Sequence, residues 1–173
     1  MSHTEAMPSQ TSVRIEPWTE DDLPLLEQLL GDPAMMEHLG GPESPQKIRE
    51  RQARYVRADS GMYRIVEVQS GEAVGSVGYW PRSWDGEEVS EIGWSVLPAF
   101  QGQGIARAAA AQTIGLARAE GARRFLHAFP SVDNPPSNAI CRSLGFTLLG
   151  ARELEYPPGQ PLTVNDWRLD LIG

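Results

Sequence analysis

Several kinds of protein are excluded by what this chain lacks. It carries a single cysteine, Cys141, so no intrachain disulfide framework can form, and the chain suits a reducing compartment such as the cytoplasm. No apolar run approaches the ~18 residues of a membrane span. Residues 1–12 are polar with no apolar centre and do not read as a signal peptide. Residues 1–11 read instead as a disordered tail ahead of a single domain over 12–173. Positive charge is also short: 15 Lys and Arg against 23 Asp and Glu leave a net charge of −8. An acidic surface argues against a nucleic-acid footprint and favours solubility or cationic partners. Clusters of His, Cys and Asp at metal-ligand spacing are missing, so no metal is expected. The strings Gly-x-x-x-x-Gly-Lys-Ser/Thr and Gly-x-Ser-x-Gly are missing too, which removes the P-loop and the hydrolase nucleophile elbow.

What is present is a change of period along the chain. Residues 13–18 alternate as a strand, and Thr19 followed by Glu20, Asp21 and Asp22 starts a helix with an apolar stripe of Leu23, Leu26, Leu29 and Leu30. A short helix is expected over 34–39, and Ser44-Pro45 opens another that runs to Asp59. From Met62 the pattern becomes strand-like, over 62–68, 73–80 and 89–96. Gly75 and Gly78 mark bulges or close packing there, and Asp85-Gly86 marks a hairpin turn. An alanine-rich helix to Gly121, a buried strand over 125–129, a helix from Asn134 to Leu144 and strands over 146–150 and 164–171 complete the order. Pro157, Pro158 and Pro161 read as a stiff surface loop. The fold class is α+β, a mixed and mostly antiparallel sheet of about seven strands flanked by about four helices.

Between the strand over 89–96 and the alanine-rich helix lies Gln101-Gly102-Gln103-Gly104-Ile105-Ala106-Arg107. A strand that enters a helix through two closely spaced glycines exposes backbone N–H groups at the helix N-terminus, a site for an anion and usually a phosphate. A dinucleotide fingerprint would need Gly or Ala where Arg107 stands and an acid closing the next strand, and neither occurs. The remaining pattern, Gln101-x-x-Gly104-x-Ala106, is similar to the pyrophosphate loop of the GCN5-related N-acetyltransferases, the GNAT superfamily. Downstream, the run from Asn134 through Leu144-Gly145-Phe146 resembles the second signature of that superfamily, an Asn-led helix ending in Leu-Gly-Phe. The two motifs stand in the family's order, about 30 residues apart, and the element order agrees with the family's fold from end to end.

The resemblance implies an N-acetyltransferase that moves an acetyl group from acetyl-CoA to a primary amine, on a protein N-terminus or a small molecule, by direct attack in a ternary complex. It implies that Trp94, Ser95 and Val96 pair by backbone with the pantetheine arm, and that a backbone N–H near Val96 faces the oxyanion. It also implies that Gln101, Gly102, Gln103, Gly104, Ile105, Ala106 and Arg107 surround the pyrophosphate, although Arg107 reads equally as a solvated helix arginine. Asn134 reads as an N-cap with Pro135 at N1, and in the family this asparagine also contacts pantetheine. Ser137 and Cys141 share its helix face. Many members carry a tyrosine that protonates the departing thiolate, and Cys141 stands in its place. Cys141 reads as a small buried hydrophobe or, with Ser137, as a hydrogen-bonding partner of the thiolate.

An ammonium of pKa ~10.4 must lose a proton before attack, which costs about 4–5 kcal/mol at pH 7. A carboxylate can take that proton directly or through a water. Glu91, midway along an apolar strand, resembles the glutamate base of several family members. It reads also as the partner of an arginine or as an outward-facing edge residue. Glu88 is the reserve. Among the histidines, His127 belongs to a strand, and His38 falls in the helical hairpin that borders the acceptor site in the family. Trp80, Trp84, Met35, Met36 and the proline loop could line an acceptor pocket or the core. The run from Asp32 to Pro42, with Trp94 and Cys141, resembles the RimJ/RimL-like branch. A homodimer is left open, and neither nucleic acid nor membrane is an expected partner. The competing readings are a GNAT-fold module that binds acyl-CoA without turnover and, from the loop alone, a regulator that binds another phosphate ligand.

Overall fold

The computed structural model describes residues 12–37 and 39–173. The tail expected over 1–11 and His38 lie outside them. In chain order the elements are β1 (Val13–Pro17), α1 (Leu23–Gly31), α2 (Pro45–Tyr55), β2 (Met62–Glu67), β3 (Ala73–Trp84), β4 (Glu87–Val96), α3 (Ile105–Glu120), β5 (Phe125–Ala128), α4 (Pro135–Ser143), β6 (Thr147–Glu155) and β7 (Pro161–Asp170). The strands form one seven-stranded sheet in the order β1-β2-β3-β4-β5-β7-β6. Only β4 and β5 run parallel, so the sheet is mixed and mostly antiparallel.

Local chemistry sets most element ends. Thr19 donates its N–H and hydroxyl to the Asp22 carboxylate, at 2.7 and 2.9 Å, and starts the 3-10 turn that leads into α1. Ser44 Oγ accepts the Lys47 N–H with Pro45 at the first helical position, so α2 begins as expected. It stops at Tyr55, short of Asp59. The helix expected over 34–39 is not there: the described residues form turns, held by Met36 N–H on the Asp32 carbonyl. Met36 plugs the core there as an isolated side chain at 2% exposure, so no helical stripe is needed. The β3–β4 hairpin turns at Asp85 and Gly86, both at positive φ, and β3 and β4 extend further towards that turn than their apolar cores suggest.

Alternation assigns the two faces. Ile92, Trp94 and Val96 of β4 pack with Ala109, Ala110 and Ile114 of α3 and Cys141 of α4. Glu91, Gly93 and Ser95 therefore lie on the opposite face. That second face also carries Trp80, which joins the cluster of α1 and α2 built from Trp18, Leu25, Leu26, Leu29, Ile48 and Met62. Gln52 ties α2 to the chain start by accepting the Trp18 indole N–H at 2.7 Å and donating to the Thr19 carbonyl at 3.0 Å.

Close backbone approach accounts for the β3 glycines. A Cβ on Gly75 would overlap the Ser95 carbonyl oxygen, and one on Gly78 would overlap Met62 Sδ and the Gly61 carbonyl. Gly115, on the outer face of α3, has open space around it. Gly75→Ala should therefore lose about 2–4 kcal/mol in urea unfolding, because the obstacle is backbone that cannot step aside. Gly115→Ala should gain about 0.5–1 kcal/mol from helix propensity.

Candidate active site

The parallel pairing between β4 and β5 lasts two residue pairs, Ser90 with Leu126 and Glu91 with His127, and then stops. β4 continues to Val96 while β5 keeps pairing with β7 as far as Ala128 and Trp167. The sheet splays at this point. Leu97 N–H bonds to the Val74 carbonyl on β3, so by alternation Ser95 and Gly93 point their backbone groups at β3. The N–H groups of Trp94 and Val96 and the carbonyl of Trp94 face the gap. The Val96 carbonyl is taken by Gln101 Nε2 at 2.9 Å, which ties the loop side chain back to the strand it leaves. Across the gap, the Trp94 indole N–H reaches Ser137 Oγ at 3.3 Å.

At the end of β4 the chain enters α3 through Gly102 and Gly104, at φ 76° and 77°, and a Cβ on either would meet no atom. Only glycine takes this left-handed conformation without penalty, and bare Cα atoms leave the loop open to a close ligand. Among the described residues, no protein group accepts the N–H groups of Gly102 through Arg107. These donors and the α3 dipole converge on one spot suited to an anion. Gln103 Nε2 bonds to the Ala99 carbonyl at 3.4 Å, and Arg107 Nε to Ser143 Oγ at 3.0 Å, which links the start of α3 to the end of α4. Ile105 is buried under the loop and Ala106 is packed beside it.

Asn134 caps α4 through Oδ1 on the Ser137 N–H. Asn138, which sequence reasoning missed, is the polar junction. Its amide donates to the Ser131 and Asn134 carbonyls, and its Oδ1 accepts from Asn165 Nδ2 and the Trp167 indole, all within 2.9 Å. It holds α4 and the β5–α4 loop onto β7. Cys141 is fully buried in the core beneath the gap, and burial pushes its thiol up to about 12.

On the opposite face Glu91 pairs with Arg82 at 2.5 Å, so the arginine alternative for this glutamate is realised. Burial nonetheless holds its carboxyl above the usual carboxylate range, against the pull of Arg82 and the Trp80 indole. Beside it, His127 Nδ1 lies 2.6 Å from Asp166 Oδ1, and the Trp84 indole N–H donates to Asp166 Oδ2 at 3.0 Å. His127 and Asp166 are 4% and 2% exposed. The Arg82 guanidinium lies over the rings of Trp84 and Phe129, and Phe129 stacks on His127. Glu88, by contrast, sits near the hairpin turn and bonds to Ser83. Sequence reading placed His127 in a strand and gave it no role. Its partner, 39 positions away, could not be read from spacing.

Of the residues expected around an acceptor, Trp80 walls a cavity of about 390 Å³ with Arg51, Tyr55 and Met62, and Trp84 belongs to the His127 cluster. Met36 is core, and Met35 Sδ lies 3.6 Å from Gln101 Nε2. Pro157 packs on Gly40, and Tyr156 hydrogen-bonds with Arg51, which itself pairs with Glu43. Among the described residues no helix is long and apolar enough to cross a membrane and no metal-binding cluster occurs.

The fold is widely shared. An acetyltransferase of the GNAT family from Bacillus anthracis superposes with a TM-score of 0.79 at 17% identity, over 94% of this chain and 98% of that one. RimL, a ribosomal L7/L12 alpha-N-protein acetyltransferase, superposes at 0.73 and 26% identity, over 94% and 92%. A ribosomal-protein-alanine N-acetyltransferase from Brucella melitensis gives 0.71 at 25%, over 92% and 99%. Comparison with curated proteins finds no match. The acetyltransferase (GNAT) domain model matches residues 12–147, and the chain therefore belongs to the GNAT family, whose members take an acetyl group from acetyl-CoA.

Proposed function

We propose that the protein is an N-acetyltransferase of the RimJ/RimL-like branch, which passes the acetyl group of acetyl-CoA to a primary amine by direct attack with both substrates bound. The observation that carries this is the open edge of β4, with a free anion-binding loop at its end and a half-buried carboxylate on its other face. The branch is supported by the likeness to RimL and to the Brucella melitensis enzyme, both named for acting on ribosomal proteins, and a protein amino group is the acceptor this favours. The single cysteine suits a reducing, cytoplasmic setting.

The residues present fit acetyl-CoA. The N–H groups of Gly102 through Arg107 are unclaimed donors for its pyrophosphate, with Gln101, Gln103 and Ile105 shaping the loop and Ala106 and Arg107 opening the helix behind it. The free groups of Trp94 and Val96, flanking Ser95, offer the pantetheine amides a strand to pair with, and the Val96 N–H offers the thioester oxygen a donor. Asn134 and Ser137 border the same gap from α4. Bound there, the cosubstrate supplies the electrophilic thioester carbon. Glu91, in the last register pair before the splay, meets the ammonium from the other face and accepts its proton directly or through a water. Ser137 is the hydroxyl nearest the gap for the departing thiolate, whereas the Cys141 thiol is sealed below it.

With acetyl-CoA and a panel of N-terminal peptides, spermidine and kanamycin, thiol release above hydrolysis is expected for at least one amine; binding of CoA without release from any of them would refute the proposal. Glu91→Gln should lower kcat/KM by about 10²-fold and leave CoA affinity within about twofold. Gly104→Ala should do the converse, weakening CoA binding about tenfold or more by closing the loop and straining φ. Stability gives a separate check on Glu91. Because its folded-state value is raised, the fold gains stability as pH drops through that value towards the ordinary carboxylate range, and the penalty is complete above it. Urea midpoints of wild type should therefore rise relative to Glu91→Gln as pH is lowered from neutral towards the ordinary carboxylate range.

A further inference from the structure

The buried histidine beside Glu91 has no part in the scheme above, and its surroundings are costly to maintain. Four polar side chains, Arg82, Glu91, His127 and Asp166, meet on one sheet face where β3, β4, β5 and β7 run side by side. Replacing such a group by apolar residues of similar volume is commonly neutral or stabilising, so sheet stability alone does not account for it. Adjacent strands stand about 4.8 Å apart, which makes Glu91 and His127 direct neighbours as the last pair before the splay.

The orientation of the imidazole is set. Nδ1 faces a carboxylate oxygen at 2.6 Å, and that carboxylate is itself fixed by the Trp84 indole on its second oxygen. A neutral ring in this position carries its proton on Nδ1 and its lone pair on Nε2. Among the described residues, Arg123 Nε is the one side-chain polar atom sealed in the protein without a partner. His127 Nε2 also has no protein partner, although the ring as a whole is only 4% exposed. A histidine held by a buried aspartate, with its second nitrogen free, is oriented as an acceptor of protons. Glu91 by itself is a compromised one, since Arg82 occupies one of its oxygens.

We propose that His127, oriented by Asp166, receives at Nε2 the proton that the acceptor ammonium gives up at Glu91. The proposal rests on the reading of Glu91 as the group that meets the amine. The ammonium loses one proton to Glu91, directly or through a water, and a water between the two register neighbours carries it on from Glu91 to His127, which becomes an imidazolium paired with Asp166. The amine nitrogen then bonds to the thioester carbon, the C–S bond breaks, and the second nitrogen proton goes to the CoA thiolate. The imidazolium returns its proton to solvent. One proton is released per amide formed, and no oxidant or further reactant is required. The charged groups that face the ring are Glu91 from β4, Arg82 from β3, Asp166 and Arg168 from β7, with Asp85 and Arg152 at the hairpin edge. His127 is thus a positioning and relay residue for the reaction.

The test compares wild type, Glu91→Gln, His127→Gln, Asp166→Asn and the Glu91→Gln/His127→Gln double variant across pH, using the best amine of the panel and following thiol release. His127→Gln should lower kcat/KM by about tenfold or more at neutral pH and displace the acid limb of the profile, with CoA affinity kept. Groups in series act as a unit, so the double variant should be no slower than about twofold below Glu91→Gln alone. Free imidazole should restore part of the rate to His127→Ala. Loss of rate by the same factor at every pH, additive losses in the double variant, or a silent His127→Gln overturns the relay. A silent Glu91→Gln overturns instead the reading on which it rests. Should His127→Gln fail to fold, histidine ring NMR on the wild-type chain decides, since it contains only 3 histidines. An Nδ1–H tautomer with bare Nε2 is expected for the neutral ring. An Nε2–H tautomer excludes His127 as the acceptor.

Discussion

The structure depends on a hydrogen-bond ladder that stops early. Parallel strands normally pair along their common length, and β4 and β5 pair for only two residue pairs before they part. The backbone groups released on β4 would cost several kcal/mol if buried without partners. They stay accessible instead, and the protein holds the gap open on both sides. On one side Gln101 clamps the Val96 carbonyl, so the loop leaves the strand in a fixed direction. On the other, Asn138 spends its whole hydrogen-bonding capacity on the β5–α4 loop and β7, which keeps α4 from closing down onto β4. Trp94 and Ser137 bridge the opening near its middle.

The same splay divides the chemistry between two faces. Strand alternation sends Ile92, Trp94 and Val96 towards α3 and α4, where the glycine loop lies, and Glu91 to the other face with His127 and Asp166. Two ligands can thus approach one point of the sheet from opposite directions. The last paired residues, Glu91 and His127, sit at the vertex, where the strands are still held by hydrogen bonds and side chains are least free to move. Titratable groups are more useful there than further along either strand.

Much of this was legible in the sequence, and the reasons are local. The glycine loop, the Asn134 cap and the Asp85-Gly86 turn all depend on residues within a few positions of each other, so spacing reports them. Glu91 stands out as an acid in an apolar strand, a position that calls for a partner such as Arg82. What could not be read depends on which strands become neighbours. Asp166 meets His127 only because β7 inserts between β5 and β6, an order the one-dimensional pattern does not specify. The turn over the described part of 34–39 was misread because one buried methionine imitates a helical stripe. The greater lengths of β3, β4 and β6 were missed because their outer residues are polar and held by pairing rather than by burial.

The state of Cys141 bears on how the acetyl group moves. A route through an acyl-enzyme would need a nucleophile that is both ionisable and exposed to the thioester. The only thiol in the chain is fully buried among Ile92, Leu126 and Phe146, and its proton is held up to a pKa of about 12. At neutral pH less than about one thiol in ten thousand would be ionised, even before access is considered. Ser137, the hydroxyl nearest the gap, accepts from the Trp94 indole and has no base beside it among the described residues. The Glu91 carboxylate and the His127 imidazole lie on the opposite face, paired with Arg82 and Asp166 and away from any nucleophile on α4. This separation favours direct transfer between two bound substrates over an acyl-enzyme.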